Sequence, residues 1–191
     1  MELIFATQNK HKAQEIQAQL PNQFKVKSLL DLNYLDELEE TQNTLQGNAL
    51  QKVRFVHSKF KTNAFADDTG LEVEELNGEP GVYSARYAGE SKSFDDNMDK
   101  LLKNLNGEKN RRAQFRTVVT LILNNEEYLF EGVCKGLITL EKTGEKGFGY
   151  DPIFKPDGFD RTFAQMTLEE KAKFSHRGLA VAKLIEFLKK V

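Results

Sequence analysis

The chain has 191 residues, of which 39% are hydrophobic and 29% charged, and its formal net charge is −2. These values fit one globular domain and argue against a strongly basic nucleic-acid-binding protein or a membrane-surface helix. No apolar run approaches the roughly 20 residues that cross a bilayer, and the apolar start is too short for a signal peptide. The single cysteine, Cys134, is predicted to be a small core residue, which fits a reducing compartment.

The first part of the chain alternates between strand and helix patterns. Residues 3–6 predict a buried strand, and a helical pattern follows until Pro21 stops it. Residues 24–26 predict a second short strand. An apolar stripe predicts a longer helix over residues 45–60, with Thr41 or Thr44 as its N-cap.

The segment from Ala64 to Gly70, AFADDTG, carries the strongest chemical signal in the sequence. It predicts a buried strand that ends in the adjacent carboxylates Asp67 and Asp68, with Gly70 marking the turn that follows. Adjacent carboxylates repel each other, and a divalent cation, which prefers carboxylate oxygens, would offset that repulsion. The alternative is a solvated turn in which one aspartate caps a helix. Alternating residues 71–74 then predict a half-exposed strand.

The second part predicts helices capped by hydroxyl side chains and one long hairpin. Residues 113–123 and 128–140 have the composition of two long strands, joined by a turn at Asn124-Asn125. Three residues are predicted helix N-caps, the last of them for a helix ending near residue 190: Ser93, Thr167 and Ser175. Early alternation of helices and strands with a late hairpin predicts an α/β protein with a mixed sheet.

A polar loop, residues 7–12 (TQNKHK), lies directly between the first strand and the first helix. Backbone N–H groups at a helix N-terminus bind phosphate, and Lys12 would add positive charge in the first turn. No glycine-rich phosphate loop is present in the sequence. The alternative is that Thr7 or Asn9 is a plain helix cap and the lysines are solvated.

Glu39 and Glu40 stand just before the long predicted helix. Acidic residues at this place commonly offset the helix dipole. Glu39 could instead supply a metal ligand to pair with Asp68. Asn48 and Lys52, four residues apart on the helix, share one face and would then meet the same ligand. The alternative for Lys52 is a solvated helix face.

Two further segments could bind a flat heterocycle. Phe148 lies between two glycines, so its ring can stand clear of the backbone and stack, and Asp151 could accept a hydrogen bond from a ring N–H. The alternative is a buried aromatic turn. His176 and Arg177 begin a helix, where the dipole disfavours cations, and with Lys171 nearby they suggest donors for carbonyl or phosphate oxygens.

In chain order, these segments resemble the inosine triphosphate pyrophosphatase family, also called the Ham1-like family. The matching motifs span nearly the whole chain: Thr7-x-Asn9-x-x-Lys12, Glu39-Glu40-Thr41, Asn48-Ala49 with Lys52, Ala66-Asp67-Asp68-Thr69-Gly70, Pro80-Gly81-x-Tyr83-Ser84-Ala85-Arg86-Tyr87, Gly147-Phe148-Gly149-Tyr150-Asp151-Pro152, and Glu170-Lys171 followed by Ser175-His176-Arg177-Gly178. The resemblance implies a single domain over residues 1–191, with an elongated α/β fold and a long, twisted mixed sheet. It also implies flanking helices and two lobes around a central cleft.

The implied reaction is Mg²⁺-dependent hydrolysis of deaminated purine nucleoside triphosphates (ITP, dITP, XTP and dXTP) to the monophosphate and pyrophosphate. The implied protein is a cytoplasmic homodimer that binds a purine nucleoside triphosphate and neither a nucleic acid polymer nor a membrane. A Maf-like nucleotide pyrophosphatase of other base preference and a non-catalytic nucleotide sensor are the alternatives.

Residue roles also follow from the resemblance. Asp68 would be the proton acceptor for the attacking water and would hold magnesium together with Glu39, with Glu40 and Asp67 as close neighbours. Thr69 would contact the substrate. The triphosphate would be held by Thr7, Gln8, Asn9, Lys10, His11, Lys12 and Lys52. The base pocket would be formed by Phe148, Gly149, Tyr150, Asp151, Lys171, His176 and Arg177.

Overall fold

The computed structural model describes residues 2–191, so Met1 of the predicted domain lies outside the described residues. Within that range, seven strands form one sheet and five α-helices flank it. The strands are β1 (Glu2–Phe5), β2 (Lys25–Ser28), β3 (Ala64–Val73), β4 (Pro80–Gly81), β5 (Arg112–Leu123), β6 (Glu126–Ile138) and β7 (Phe154–Pro156). The helices are α1 (Lys10–Gln17), α2 (Leu45–Phe60), α3 (Phe94–Asn104), α4 (Leu168–Ala172) and α5 (His176–Leu188).

The sheet is mixed, as the sequence pattern predicted. Its strand order is β2-β1-β3-β5-β6-β7, and β4 pairs with β3. Strand β1 runs parallel to β2 and β3, whereas the pairings β3–β5, β5–β6 and β6–β7 are antiparallel. Asn124 and Asn125 join β5 to β6 with φ values of 53° and 67°, the backbone that a tight hairpin turn requires. The predicted hairpin and mixed α/β fold are therefore confirmed.

Strand β3 is longer than its sequence pattern predicted. It continues through Gly70 to Val73 and pairs with β5 over its whole length, so Asp67 and Asp68 lie inside the strand and not at its end. A Cβ on Gly70 would lie 2.7 Å from the carbonyl oxygen of Gly81 in β4. The prediction of a turn at Gly70 is wrong because this glycine serves the close approach of a neighbouring strand.

Apolar residues that alternate along β1 and β3 separate two cores on opposite faces of the sheet. Phe5 and Phe65 stack with ring centroids 4.6 Å apart in a core that includes residues of α1 and α5. Ile4 and Ala66 belong to a different core, which includes residues of α2. By the same alternation, Asp67 points to the face of α1 and α5, and Asp68 points to the face of α2.

A third core lies at the other end of β3, around Leu71, α3 and the chain that follows β6. Cys134 belongs to this core, and burial raises the pKa of its thiol to about 12, so its prediction as a core residue is confirmed.

Among residues 2–191, the structure contains no helix with the length and apolar character needed to cross a bilayer.

Helix caps largely follow the sequence predictions. The predicted N-caps Ser93, Thr167 and Ser175 are confirmed, and Thr44, not Thr41, caps α2 by accepting from the Gly47 N–H at 3.0 Å. Helix α1 ends at Gln17, earlier than its pattern predicted. A Cβ on Gly132 in β6 would lie 2.0 Å from the His176 carbonyl oxygen, so this glycine lets the start of α5 approach the sheet.

Candidate active site

A cleft of about 270 Å³ lies beside the middle of β3. Its lining includes most of the residues that the sequence singled out: Thr7, Gln8, Asn9, Lys12, Lys52, Asp68, Thr69, Phe148, Gly149, Tyr150, Asp151, Lys171, His176 and Arg177. Lys10, His11 and Glu39 are exposed and are not part of this lining. The fold thus gathers polar side chains from widely separated parts of the chain into one crevice.

The two adjacent aspartates have opposite environments because they point to opposite faces of β3. Asp67 accepts hydrogen bonds from Lys12 Nζ at 3.1 Å and Arg177 Nε at 3.3 Å. Burial alone would raise the pKa of Asp67, but the charges of Lys12 and Arg177 hold that pKa well below its usual range. Asp67 is therefore an anion that holds two cations in place.

Asp68 lines the cleft on the side of α2. Its Oδ2 accepts a hydrogen bond from Asn48 Nδ2 at 3.1 Å, and its Oδ1 lies 3.7 Å from Lys52 Nζ. Burial raises the pKa of Asp68 above its ordinary value, although Lys52 opposes that effect. A carboxylate with raised proton affinity that faces a cleft is better suited to accept a proton than its neighbour Asp67.

Glu40 is the acidic side chain that lies beside Asp68 across Lys52, and Glu39 is not part of the cleft lining. Lys52 Nζ donates to Glu40 Oε1 at 2.5 Å, and Arg86 Nη2 donates to the Glu40 carbonyl oxygen at 3.3 Å. The resemblance pairs Glu39 with Asp68 as magnesium ligands, and that assignment stays a prediction. In the structure Lys52 and Arg86 hold Glu40 at the cleft, whereas Glu39 is exposed.

The loop before α1 both caps the helix and lines the cleft. Asn9 Oδ1 accepts from the backbone N–H groups of His11 and Lys12 at 2.9 and 3.2 Å, and Thr7 Oγ1 accepts from the Asn9 N–H at 3.1 Å. Gln8 Nε2 donates to the carbonyl oxygens of residues 34 and 36, so it joins this loop to the segment that precedes Glu39 and Glu40. The capping alternative and the binding interpretation are compatible here.

His11 lies beside two aromatic residues of the cleft lining. Its ring stacks on Phe148 with centroids 5.1 Å apart and an interplanar angle of 14°. Phe94, at the start of α3, packs against both rings, with centroid distances of 6.5 Å to His11 and 6.0 Å to Phe148. The structure therefore associates His11 with the predicted base wall, whereas the sequence interpretation assigned it to the triphosphate.

The loop that carries Phe148 is built around Asp151. Asp151 Oδ2 accepts from the Phe148 N–H at 3.0 Å and from Lys171 Nζ at 2.7 Å. Gly147 has a φ of 75°, and a Cβ there would lie 2.0 Å from Asp151 Oδ2, so this turn requires glycine. Tyr150 anchors the loop by donating its hydroxyl to the Ser84 carbonyl oxygen at 2.8 Å.

Glu15, on α1, is a buried acidic residue that sequence reasoning missed. Its two oxygens accept hydrogen bonds from Lys171 Nζ at 2.6 Å and from Arg177 Nη1. Burial alone would raise the pKa of Glu15, but the charges of Arg177 and Lys171 outweigh it and the pKa is lowered. The only sequence signal was its position three residues after Lys12, which places both on one helix face.

These contacts form one chain of alternating charge. The order is Lys12, Asp67, Arg177, Glu15, Lys171 and Asp151, and each neighbouring pair is joined by a salt bridge. A buried ion pair adds little net stability, but removing one partner typically costs about 3–5 kcal/mol because the other charge is left buried and uncompensated. The network therefore orients its cations rigidly toward the cleft.

His176 is a buried residue of the cleft lining with one unpartnered ring nitrogen. Its ring stacks on Phe115 with centroids 4.4 Å apart, and its Nδ1 is buried without a hydrogen-bond partner among the described residues. Burial, with a contribution from the Arg177 charge, lowers the pKa of His176 well below its usual value, so the imidazole is neutral. An unsatisfied buried nitrogen in a cleft lining is a natural contact for a polar ligand atom.

The cleft also fits a magnesium ion with few protein ligands. Within residues 2–191, no three His, Cys, Asp or Glu side chains cluster as a metal site. Asp68 and Glu40 do flank the same Lys52 ammonium, at 3.7 and 2.5 Å. Mg²⁺ is commonly bound by one or two carboxylates together with water and substrate phosphates, so these two acids match its chemistry.

Comparison with known proteins gives a consistent result over the full chain. The Ham1 family model matches residues 3–187. A Flavobacterium johnsoniae protein named dITP/XTP pyrophosphatase is 56% identical over 188 residues, covering 98% of each chain. The Staphylococcus aureus Ham1 protein superposes with a TM-score of 0.89 at 40% identity, covering 100% of this chain and 99% of that one. A HAM1 protein from Coxiella burnetii gives a TM-score of 0.90 at 35% identity, covering 100% of both chains.

Replacing Glu15 with glutamine tests the charge network. Glu15→Gln removes the negative charge that Lys171 and Arg177 share and leaves both cations buried. We therefore expect a loss of about 3–5 kcal/mol in the free energy of unfolding at pH 7. Urea denaturation measures it. The exposed Glu169→Gln is the control and should change stability by less than about 0.5 kcal/mol.

The difference in unfolding free energy between wild type and Glu15→Gln should depend on pH. Because the folded pKa of Glu15 is lowered, its charge stabilises the fold above the unfolded pKa of about 4.3, and this contribution is lost as the pH falls through the folded pKa. The gap between wild type and Glu15→Gln should therefore narrow below about pH 4. A gap that stayed constant with pH would contradict this account.

Proposed function

Because this chain belongs to the Ham1 family, we propose that it hydrolyses dITP, XTP and the related deaminated purine nucleotides to the monophosphate and pyrophosphate. Such a reaction removes deaminated purines from the nucleotide pool. The observation that carries the proposal is the composition of the cleft. Asp68 and Lys52 lie in the same crevice as Phe148, His176 and Arg177, so reactive acid and base wall can act on one substrate.

The phosphate end of the cleft is assigned to Lys12 and Lys52. Phosphoryl transfer requires mainly positioning and charge neutralisation, so no cysteine or serine nucleophile is needed. Asp68 and Glu40 would hold Mg²⁺, which when bound supplies positive charge to the phosphates and acidifies coordinated water. The two lysines, held by their carboxylate partners, then limit where the triphosphate can lie.

Asp68 is assigned the role of proton acceptor for the attacking water. A free aspartate has a pKa near 3.9 and is a weak base at neutral pH. Burial raises the pKa of Asp68, which improves its basicity, while Asn48 fixes the orientation of the carboxylate. Asp67 cannot share this role because its pKa is held low by Lys12 and Arg177.

The base end supports selection for a 6-oxo purine. Lys171 and Arg177 present hydrogen-bond donors, which pair with the O6 oxygen of hypoxanthine or xanthine and would meet the 6-amino group of adenine donor to donor. A buried mismatch of this kind leaves polar groups unpaired and strongly disfavours the wrong base. His176 lines the same cleft, and its Nδ1 has no hydrogen-bond partner among the described residues.

The family resemblance also supports a homodimer and a cytoplasmic location, and we include both in the proposal. Nucleotide pools occupy the same compartment as the polymerases that consume them, so an enzyme that cleans the pool is expected there. The buried thiol of Cys134 is compatible with a reducing environment. Sedimentation of the purified protein would measure its oligomeric state.

A substrate panel tests the proposed activity. We expect wild-type protein with Mg²⁺ to release pyrophosphate from dITP and XTP and much less from dATP, because the 6-amino group of adenine would meet the donors of the base pocket donor to donor. The panel also includes dGTP and dTTP. Ion chromatography identifies the released anion. Release of single phosphates would indicate a phosphatase, hydrolysis of dTTP would indicate a Maf-like preference, and binding without release would indicate a sensor.

The role of Asp68 has its own test. Asp68→Asn keeps the shape and the contact with Asn48 but removes the proton acceptor, so kcat for dITP should fall by about 10²–10⁴-fold. Titration calorimetry with dITP should still detect nucleotide binding. Retention of most of the activity would refute the assignment of Asp68 as the base.

A matched pair of variants separates Glu40 from Glu39 as the magnesium ligand. Glu40→Gln should raise the Mg²⁺ concentration for half-maximal activity on the order of tenfold, because it removes one of the two carboxylates beside Lys52. Glu39→Gln makes the same chemical change at an exposed side chain and should leave that concentration unchanged. The reverse pattern would restore the sequence-based assignment of Glu39.

A further inference from the structure

Lys92 lines the cleft from the wall that the start of α3 provides. It is followed by Ser93, whose Oγ caps α3 by accepting from the Asp96 N–H at 3.2 Å, so Lys92 is anchored to a regular helix. Phe94 comes next and packs against Phe148 with ring centroids 6.0 Å apart. This short segment therefore touches the base wall and also places a cation at the cleft.

The backbone of Lys92 adopts an unfavourable conformation. Its φ of 53° lies in the left-handed region, which glycine or asparagine adopts at lower cost than lysine. Nothing in helix capping requires a lysine here, because Ser93 supplies the capping oxygen. Neither backbone preference nor helix capping therefore accounts for a lysine at this position.

Four lysines line the cleft. Lys171 belongs to the buried charge network, and the other three differ in how tightly they are held. Lys12 pairs with Asp67, whose side chain is 1% exposed. Lys52 pairs with both Glu40 and Asp68, whose side chains are 31% and 10% exposed. Lys92 pairs with Glu37, whose side chain is 73% exposed. An exposed ion pair has little net stability, so Lys92 can exchange its partner for another anion at the lowest cost of the three.

The remaining charges explain why the cleft needs such a cation. Around the cleft, Lys12, Lys52, Lys171 and Arg177 are already matched by five carboxylates: Glu15, Glu40, Asp67, Asp68 and Asp151. A triphosphate brings about four more negative charges. A bound divalent cation offsets part of them, and a lysine that can leave its own carboxylate offsets another.

We propose that Lys92 is a third polyphosphate-binding lysine, which leaves Glu37 when substrate enters and binds a phosphate from the wall of α3. The proposal rests on the proposed function in one respect: the ligand must carry a polyphosphate chain. Glu37 then acts as a placeholder that holds the side chain of Lys92 at the cleft before the nucleotide arrives. Lys92 is a binding residue and takes no part in proton transfer.

Lys92→Ala is the primary test, with Lys103→Ala as its control. Lys103 is an exposed lysine on α3 outside the cleft, so both variants change the net charge equally. Lys92→Ala should raise KM for dITP about tenfold and leave kcat within about twofold, whereas Lys103→Ala should change neither. Lys92→Arg should retain most of the affinity. Equal KM values for Lys92→Ala and Lys103→Ala would overturn the proposal.

Glu37→Gln tests the exchange of partners. Freed from its carboxylate, Lys92 should bind phosphate more readily, so KM should fall roughly threefold. In the background of Lys92→Ala, the same change should have a clearly smaller effect, since only the general field of Glu37 is then removed. An equal effect of Glu37→Gln in both backgrounds would show that Lys92 does not exchange partners and would overturn the proposal.

Titration with inorganic tripolyphosphate separates this proposal from the proposed activity. Wild type should bind tripolyphosphate about tenfold more tightly than Lys92→Ala, whatever nucleotide the protein hydrolyses. If wild type hydrolyses no nucleotide but this difference is found, the proposed function fails and the role of Lys92 stands. If dITP is hydrolysed and the two proteins bind tripolyphosphate equally, the role of Lys92 fails and the function stands.

Discussion

The cleft depends on the buried guanidinium of Arg177. Arg177 begins α5, yet its donors reach Asp67 and Thr69 on β3 and Glu15 on α1, so one side chain joins three elements of the fold. A cation this deeply buried is tolerated only when carboxylates compensate it. Glu15 in turn neutralises Lys171, and Asp67 neutralises Lys12, so the positions of the other cations follow from the same requirement. The donors that face the nucleotide are thereby fixed before any ligand binds.

Strand geometry gives two identical side chains different environments. Asp67 and Asp68 are neighbours, but a β-strand sends neighbours to opposite faces. One face meets Lys12 and Arg177, which keep Asp67 ionised; the other meets Asn48 and Lys52 at the cleft, where burial raises the pKa of Asp68. The acid that holds the cations and the acid that faces the cleft are therefore separated without any difference in residue type, and a shift of register by one residue would exchange their positions.

Much of this arrangement could be predicted from the sequence, because the features concerned are local. The caps at Ser93, Thr167 and Ser175 and the Asn124-Asn125 hairpin depend on residues within a few positions of each other, and all were predicted. Three contacts were not predicted, for one reason. Gly81 on another strand approaches Gly70 too closely for a side chain there. Glu40 forms a salt bridge with Lys52, and Glu15 forms one with Arg177. In each case the deciding partner is remote, and residue type alone does not reveal it.

The sequence by itself determined the family resemblance, the alternation of strands and helices, and the set of polar segments that could carry chemistry. These conclusions rest on motif spacing, apolar periodicity and capping, which are visible along the chain. Only the tertiary structure decided which of Asp67 and Asp68 faces the cleft, that the partner of Lys92 is exposed, and that Glu15 joins Lys171 to Arg177. The physical reason is that burial and charge compensation set these properties, and both arise between residues such as Glu15 and Arg177, which lie 162 positions apart and meet only in the folded protein.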